Sequence, residues 1–221
     1  VKHEPYLING RPVPSVTQVT GILDKPAVTA WQIDLAVRSG DRGAGKAEAH
    51  RLADRGTRIH DQALRVAEGK PWVPGPPDDV ETRCVANLAL WVEQRVQKVL
   101  LCERAIYSAK WSYAGRPDLV CLLRDDPEHA VWVIDWKGSH APRPYFEWTL
   151  QLAGYAATDD VRQLAIDVGR AGVAAIHRAI VTVNPDGDCA PHVHMLDHDA
   201  DDVQAFLCLL SVYNARQRYE S

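Results

Sequence analysis

Apolar residues recur every three to four positions in some stretches of this chain and alternate or cluster in others, which predicts helices and strands in separate blocks. Tyr6 to Val13 reads as two short strands around an Asn9-Gly10 turn. Ser15 is placed to cap a short helix reaching Leu23, and Lys25-Pro26 breaks it. A second helix is expected from Val28 to Arg38, stopped by Ser39-Gly40, and a third from about Lys46 to Glu68, interrupted at Gly56. Gly69 to Pro77 is a Pro/Gly-rich connector. Asp78 and Asp79 then open a long helix to about Leu101, with Val85, Leu88, Val92, Val96 and Val99 on its core face. Strands are expected at Arg104–Ser108, Tyr113–Leu123 and Ala130–Lys137, followed by a helix from Phe146 to Ala157 and an apolar strand from Val173 to Asn184. Pro185 to Asp188 is a turn, His192–Leu196 a return strand, and Asp199–Tyr219 a closing helix. That order predicts an α/β or α+β core with helices on a sheet.

Length and composition narrow the class. A chain of 221 residues fits one domain, and 46% apolar with 24% charged residues excludes collagen-like, disordered and transmembrane chains. No apolar run approaches the ~18 residues of a spanning helix. The first residues lack the apolar block of a signal peptide, and five scattered Cys without a CxxC pair point to a reduced, cytoplasmic protein. A net charge of −4 gives no global case for a polyanion partner, so any nucleic-acid surface must be local. The stretch 38–58 supplies a local excess, with Arg38, Arg42, Lys46, Arg51, Arg55 and Arg58 against Asp41, Glu48 and Asp54. That modest excess supports a polyanion, with a solvated helix face as the alternative.

The chemistry concentrates in the segment from Gly115-Arg116-Pro117-Asp118 to Asp135-Trp136-Lys137. If the hairpin is symmetric about Asp126-Pro127, Asp118 stands directly opposite Asp135 on one face, with Lys137 on that face and Trp136 on the other. Opposed carboxylates repel unless a counter-charge joins them. A hard divalent cation resolves the repulsion, since Mg²⁺ takes one or two carboxylates plus water and phosphate. Lys137 beside it would orient an attacking water and offset charge on phosphate, so the spacing predicts a metal-dependent phosphodiester hydrolase site. The alternative is a solvated hairpin with a structural Asp–Lys pair, which the apolar run Leu119 to Leu123 disfavours.

Pro117-Asp118 with Asp135-Trp136-Lys137 resembles the PD-(D/E)XK nuclease superfamily, most closely its RecB-like and phage-exonuclease branch. Gly56-Thr-Arg-Ile-His60 matches that branch's GxxxH element, and Gln151-Leu-Ala-Gly-Tyr155 its QxxxY element. The resemblance covers roughly residues 10–185. It implies a restriction-endonuclease-like mixed central sheet flanked by helices, in one domain spanning 1–221. Residues 1–77 would be a helical elaboration, 78–185 the nuclease core, and 186–221 a C-terminal hairpin strand and helix. It implies Mg²⁺ or Mn²⁺, one or two ions, held by Asp118, Asp135, His60, Glu103 and the carbonyl of Trp136. Lys137 would position the nucleophilic water. Gln151 and Tyr155 would contact DNA, with Arg116, Arg55 and Arg58 as further phosphate contacts. Gly56 would permit close approach of DNA or another backbone.

The implied activity is DNA exonuclease, on ends or single strands, in phage or bacterial recombination, repair or processing. A structure-specific endonuclease and a catalytically silent DNA-binding module are the alternatives. With no GxxxxGK[ST] motif, any helicase or recombination partner is separate. Only seven of the 25 basic residues are Lys, which suggests a high-GC genome of a phage or its host. Some relatives bind an iron–sulfur cluster through one upstream and three clustered Cys; Cys189 and Cys208 do not make that cluster, so none is expected. His192, His194 and His198 with Asp197 resemble a zinc site but lack a completing ligand, and a solvated edge strand is the better reading.

Overall fold

The computed structural model describes residues 4–76, 78–138, 143–170, 176–197 and 199–220. The chain enters through β1 (Tyr6–Ile8) and β2 (Arg11–Val13), an antiparallel pair closed by Asn9 and Gly10, both at positive φ. Ser15 caps α1 (Val16–Thr20) through a reciprocal capping box with Gln18. α1 stops at Thr20, short of the expected Leu23, where the Gly21 N–H closes it onto the Thr17 carbonyl, so Lys25-Pro26 does not end it. Pro26 opens α2 (Pro26–Ser39), where its missing N–H is harmless. Gly40 at positive φ closes α2, and α3 (Ala44–Ala67) runs unbroken through Gly56.

The long helix expected from Asp79 is shorter than its apolar spacing implied. Asp79 caps α4 (Val80–Arg95), and Val96 turns the chain into β3 (Val96–Cys102). Val96, Val99 and Leu100 therefore belong to a strand. Two register shifts against the neighbouring strand break the strict alternation that would have marked it. The expected strand Tyr113–Leu123 is two strands, because Arg116-Pro117-Asp118 separates β5 (Tyr113–Gly115) from β6 (Leu119–Leu123). β5 pairs with β4 (Ile106–Ser108) outside the main sheet. The following elements are β7 (Val131–Gly138), α5 (Phe146–Ala156), α6 (Asp159–Asp167), β8 (Ile176–Val183), β9 (Pro191–Leu196) and α7 (Asp199–Glu220). Sequence patterning missed α6, although Thr158 caps it and Asp159 and Asp160 complement its first turn.

The central sheet has five strands in the order β3-β6-β7-β8-β9, with β7 and β8 parallel and the other pairs antiparallel. The protein is thus a mixed α/β fold with helices on both faces of a mixed sheet. On one face Leu119, Ile134 and Trp136 pack with Ile59 and Leu64 of α3 and Leu88 of α4. On the other Val120, Val133 and Ile180 pack with Leu152 and Tyr155 of α5, Val161 of α6 and Phe206 of α7. Arg178 crosses the second layer fully buried, donating to the carbonyl of Thr149 and to Asp202. Among the described residues, no helix is long and apolar enough to cross a membrane.

Candidate metal centre

The β6–β7 register pairs Leu119 with Ile134, Val120 with Val133 and Cys121 with Trp132. Continued one step, it sets Asp118 against Asp135, as hairpin symmetry predicted. Asp126 holds the intervening turn by accepting from the backbone of Glu128 and Ala130 and from Trp132 Nε1. Because Asp118 precedes β6, its carboxylate is free to turn across the end of the sheet. One oxygen accepts from the Trp136 backbone N–H at 2.7 Å, and the other lies 2.9 Å from His60 Nε2 on α3. Asp135, at 2% exposure, stays within the sheet.

His60, Glu103 and Asp118 bring one ligand atom each within 4.8 Å of one another. Glu103 follows β3 rather than a helix end, and its φ of +45° places it in the left-handed region at roughly 1–2 kcal/mol. Its carboxylate lies 3.8 Å from His60 Nε2 and 3.8 Å from Arg116. Asp135 is not part of this trio. Its Oδ1 accepts from Gln151 Nε2 at 3.1 Å, and Oδ2 lies 2.6 Å from Lys137 Nζ, a contact too poorly aligned for a hydrogen bond. Gln151 links onward to Tyr155 Oη at 3.0 Å and accepts from Lys137 at 3.3 Å. The site thus draws Asp118, Asp135 and Lys137 from the sheet, His60 from α3, and Gln151 and Tyr155 from α5. The Trp136 side chain lies under α3, edge-on to His60 with ring centroids 6.2 Å apart.

The electrostatics are those of a crowded acidic site. Burial alone would depress His60, but the hydrogen bond to Asp118 and the charges of Asp118, Glu103 and Asp135 outweigh it and push the imidazole up to about 9. Burial, with Asp118 beside it, raises Glu103 above the usual carboxylate range. Burial likewise raises Asp135, against the pull of Lys137. Lys137 is raised because Asp135 and Asp118 outweigh its own burial. In the metal-free protein His60⁺ and Lys137⁺ therefore act as the counter-charges. The trio could hold a metal ion through one imidazole and two carboxylates, and Asp135 Oδ2 is a buried oxygen without an aligned donor.

Other expected residues stand elsewhere. Arg55 makes a two-pronged pair with Asp186 at 2.9 and 3.0 Å, and Arg58 with Glu81 at 2.8 and 2.5 Å. Arg38 and Arg51 pair with Asp34 and Glu48. The basic stretch 38–58 is thus largely neutralised by nearby acids. A Cβ on Gly56 would meet nothing within 4 Å, so close packing does not require glycine there. Gly115 is the glycine the site needs, since a Cβ there would lie 2.5 Å from the Tyr155 ring. Its place just before Arg116-Pro117-Asp118 was visible in the sequence; its contact with α5 was not. His192 and His194 lie on β9, facing Asp188 and Thr182 respectively, while His198 lies outside the described residues.

No family model and no curated protein matches the chain. Among solved structures, one titled "Crystal structure of SSO0001" aligns with 97% of this chain and 78% of its own, at 15% identity and a TM-score of 0.42.

Proposed function

We propose that this protein is a restriction-endonuclease-like nuclease of the PD-(D/E)XK class, a metal-dependent DNA exonuclease hydrolysing phosphodiester bonds. The observation that carries the reading is the convergence of four separated sequence elements on one sheet end: Asp118, Asp135-Trp136-Lys137, His60 and Gln151 with Tyr155. A structural Asp–Lys pair would not require the other members to assemble around it.

Asp118, Glu103 and His60 would hold Mg²⁺ or Mn²⁺, one or two ions, with Asp135 and the Trp136 carbonyl on the adjoining strand as further ligands. The cation supplies Lewis acidity to phosphate and water. His60 must give up its proton to ligate, so cation uptake is coupled to proton release. Lys137, anchored on Asp135, orients the attacking water and offsets charge on the phosphate in the transition state. Gln151 holds Asp135 and Lys137 in place, and Tyr155 Oη braces Gln151. Arg116, exposed beside Glu103, is available to a phosphate of the substrate strand. The substrate would be DNA with free ends or single strands, in a bacterial or host cytoplasm, with any helicase or recombination protein separate.

The test is incubation with Mg²⁺ or Mn²⁺ and end-labelled linear or circular DNA, single- and double-stranded. Digestion from ends alone supports the exonuclease. Cutting of circles indicates the endonuclease alternative. DNA binding without cleavage by either metal points to a silent module and refutes the hydrolase reading.

A further inference from the structure

A cavity of about 820 Å³ opens beside the metal centre, with Glu103, Arg116, Gly115 and Tyr155 on its inner wall. Its outer walls come from the two chain ends. The β1–β2 pair and the segment leading to α1 contribute Tyr6, Pro12 and Gln18, and α7 contributes Tyr213 and Asn214. The volume lies within the roughly 300–1,000 Å³ of small-molecule sites. Among the described residues its charged lining is one cation, Arg116, against the acids Glu4 and Glu103. A duplex backbone, which binds through several cations, meets one of them among the described lining residues. Aromatic rings, proline faces and side-chain amides are instead the groups that stack on and hydrogen-bond to unpaired bases.

We infer that this cavity is a nucleobase-binding site, holding an unpaired base of the strand whose phosphate lies at the metal centre. The inference rests on the proposed hydrolase reading and adds what selects the substrate. The base occupies the space between Tyr6 and Tyr213, its edge meets Asn214 or the Nε2 of Gln18, whose Oε1 accepts from the Ser15 N–H, and Arg116 receives the adjoining phosphate at the inner end. The amides and rings give little discrimination among bases, so selection is for an unpaired strand rather than for a sequence.

Two labelled oligonucleotides of equal length test it, one all-thymidine and one lacking every base. With Mg²⁺, the wild-type protein is expected to show a higher kcat/KM on the thymidine strand than on the abasic strand. Tyr213→Leu keeps apolar packing but removes the ring, and is expected to lower that ratio at least about fivefold. Tyr213→Phe is expected to preserve it. Equal cleavage of both strands by the wild type, or a ratio unchanged in Tyr213→Leu, overturns the inference and leaves the hydrolase reading standing. Cleavage of neither strand, nor of duplex, defeats the hydrolase reading instead. Fluorescence anisotropy of the same strands then decides the cavity alone: a Tyr213-dependent preference for the base-bearing strand upholds it, and equal or absent binding overturns it.

Discussion

Replacing Lys137 by Met removes the ammonium 2.6 Å from Asp135 and keeps the length of the side chain. Asp135 has a side chain only 3% exposed, while Lys137 keeps 24% exposure, so solvent replaces little of what is lost. Breaking such a pair leaves an uncompensated buried charge, worth ~3–5 kcal/mol, and the partial exposure of Lys137 favours the lower end. At about 2–4 °C per kcal/mol for a chain of this size, the metal-free variant is expected to melt roughly 6–12 °C below wild type at pH 8. The deficit carries a pH signature. Without Lys137, the Asp135 carboxyl rises further above its unfolded value of ~3.9, so the folded state binds more protons than the unfolded one. That contribution is complete below the unfolded pKa and is lost as pH rises through the folded one. The deficit is therefore expected to shrink at pH 5 and grow toward pH 8. Thermal melts by circular dichroism at both pH values, with chelator present, read it directly. Adding Asp135→Asn to Lys137→Met is expected to recover most of the loss at pH 8. A deficit equal at pH 5 and pH 8, or a double variant no better than the single one, would show that the buried pair does not carry this energy.

In the metal-free protein, His60 stands at about 9, above its ordinary 6.5, so the stability it adds is full below ~6.5 and fades as pH rises through 9. Mn²⁺ affinity is accordingly expected to strengthen from pH 6.5 to 9 with proton release, flattened in His60→Gln; calorimetry in two buffers of different ionisation enthalpy measures both. Asp118→Asn and Asp135→Asn are each expected to lower single-turnover cleavage of labelled DNA by at least ~100-fold. Both should keep a wild-type circular dichroism spectrum, and wild-type rates would remove these residues from the site. Gly115→Ala puts a methyl 2.5 Å from the Tyr155 ring and is expected to destabilise by about 1–3 kcal/mol, read by urea denaturation. An unchanged midpoint would mean that α5 shifts freely away from β5.

Many local signals were legible where one short segment contains its own partners, although the Thr158 cap of α6 went unread. The Ser15–Gln18 capping box, the Asn9-Gly10 turn and the Leu119–Ile134 register all follow from residues a few positions from each other or from the centre of their own hairpin. The segment 96–102 was not legible, because Val96, Val99 and Leu100 suit a helix face and a bulged strand equally. Pairing with β6, a partner some twenty residues away, decides between them. The same limit governs the site. Sequence placed Asp118, Asp135 and Lys137 on one hairpin, since a hairpin's geometry is set by its own turn. Only the tertiary structure could bring His60 and Glu103 to Asp118 while handing Asp135 to Lys137 and Gln151. It also committed Arg55 and Arg58 to Asp186 and Glu81. A side chain's charge is written in the sequence, but the partner that claims it is chosen by packing between elements far apart in the chain.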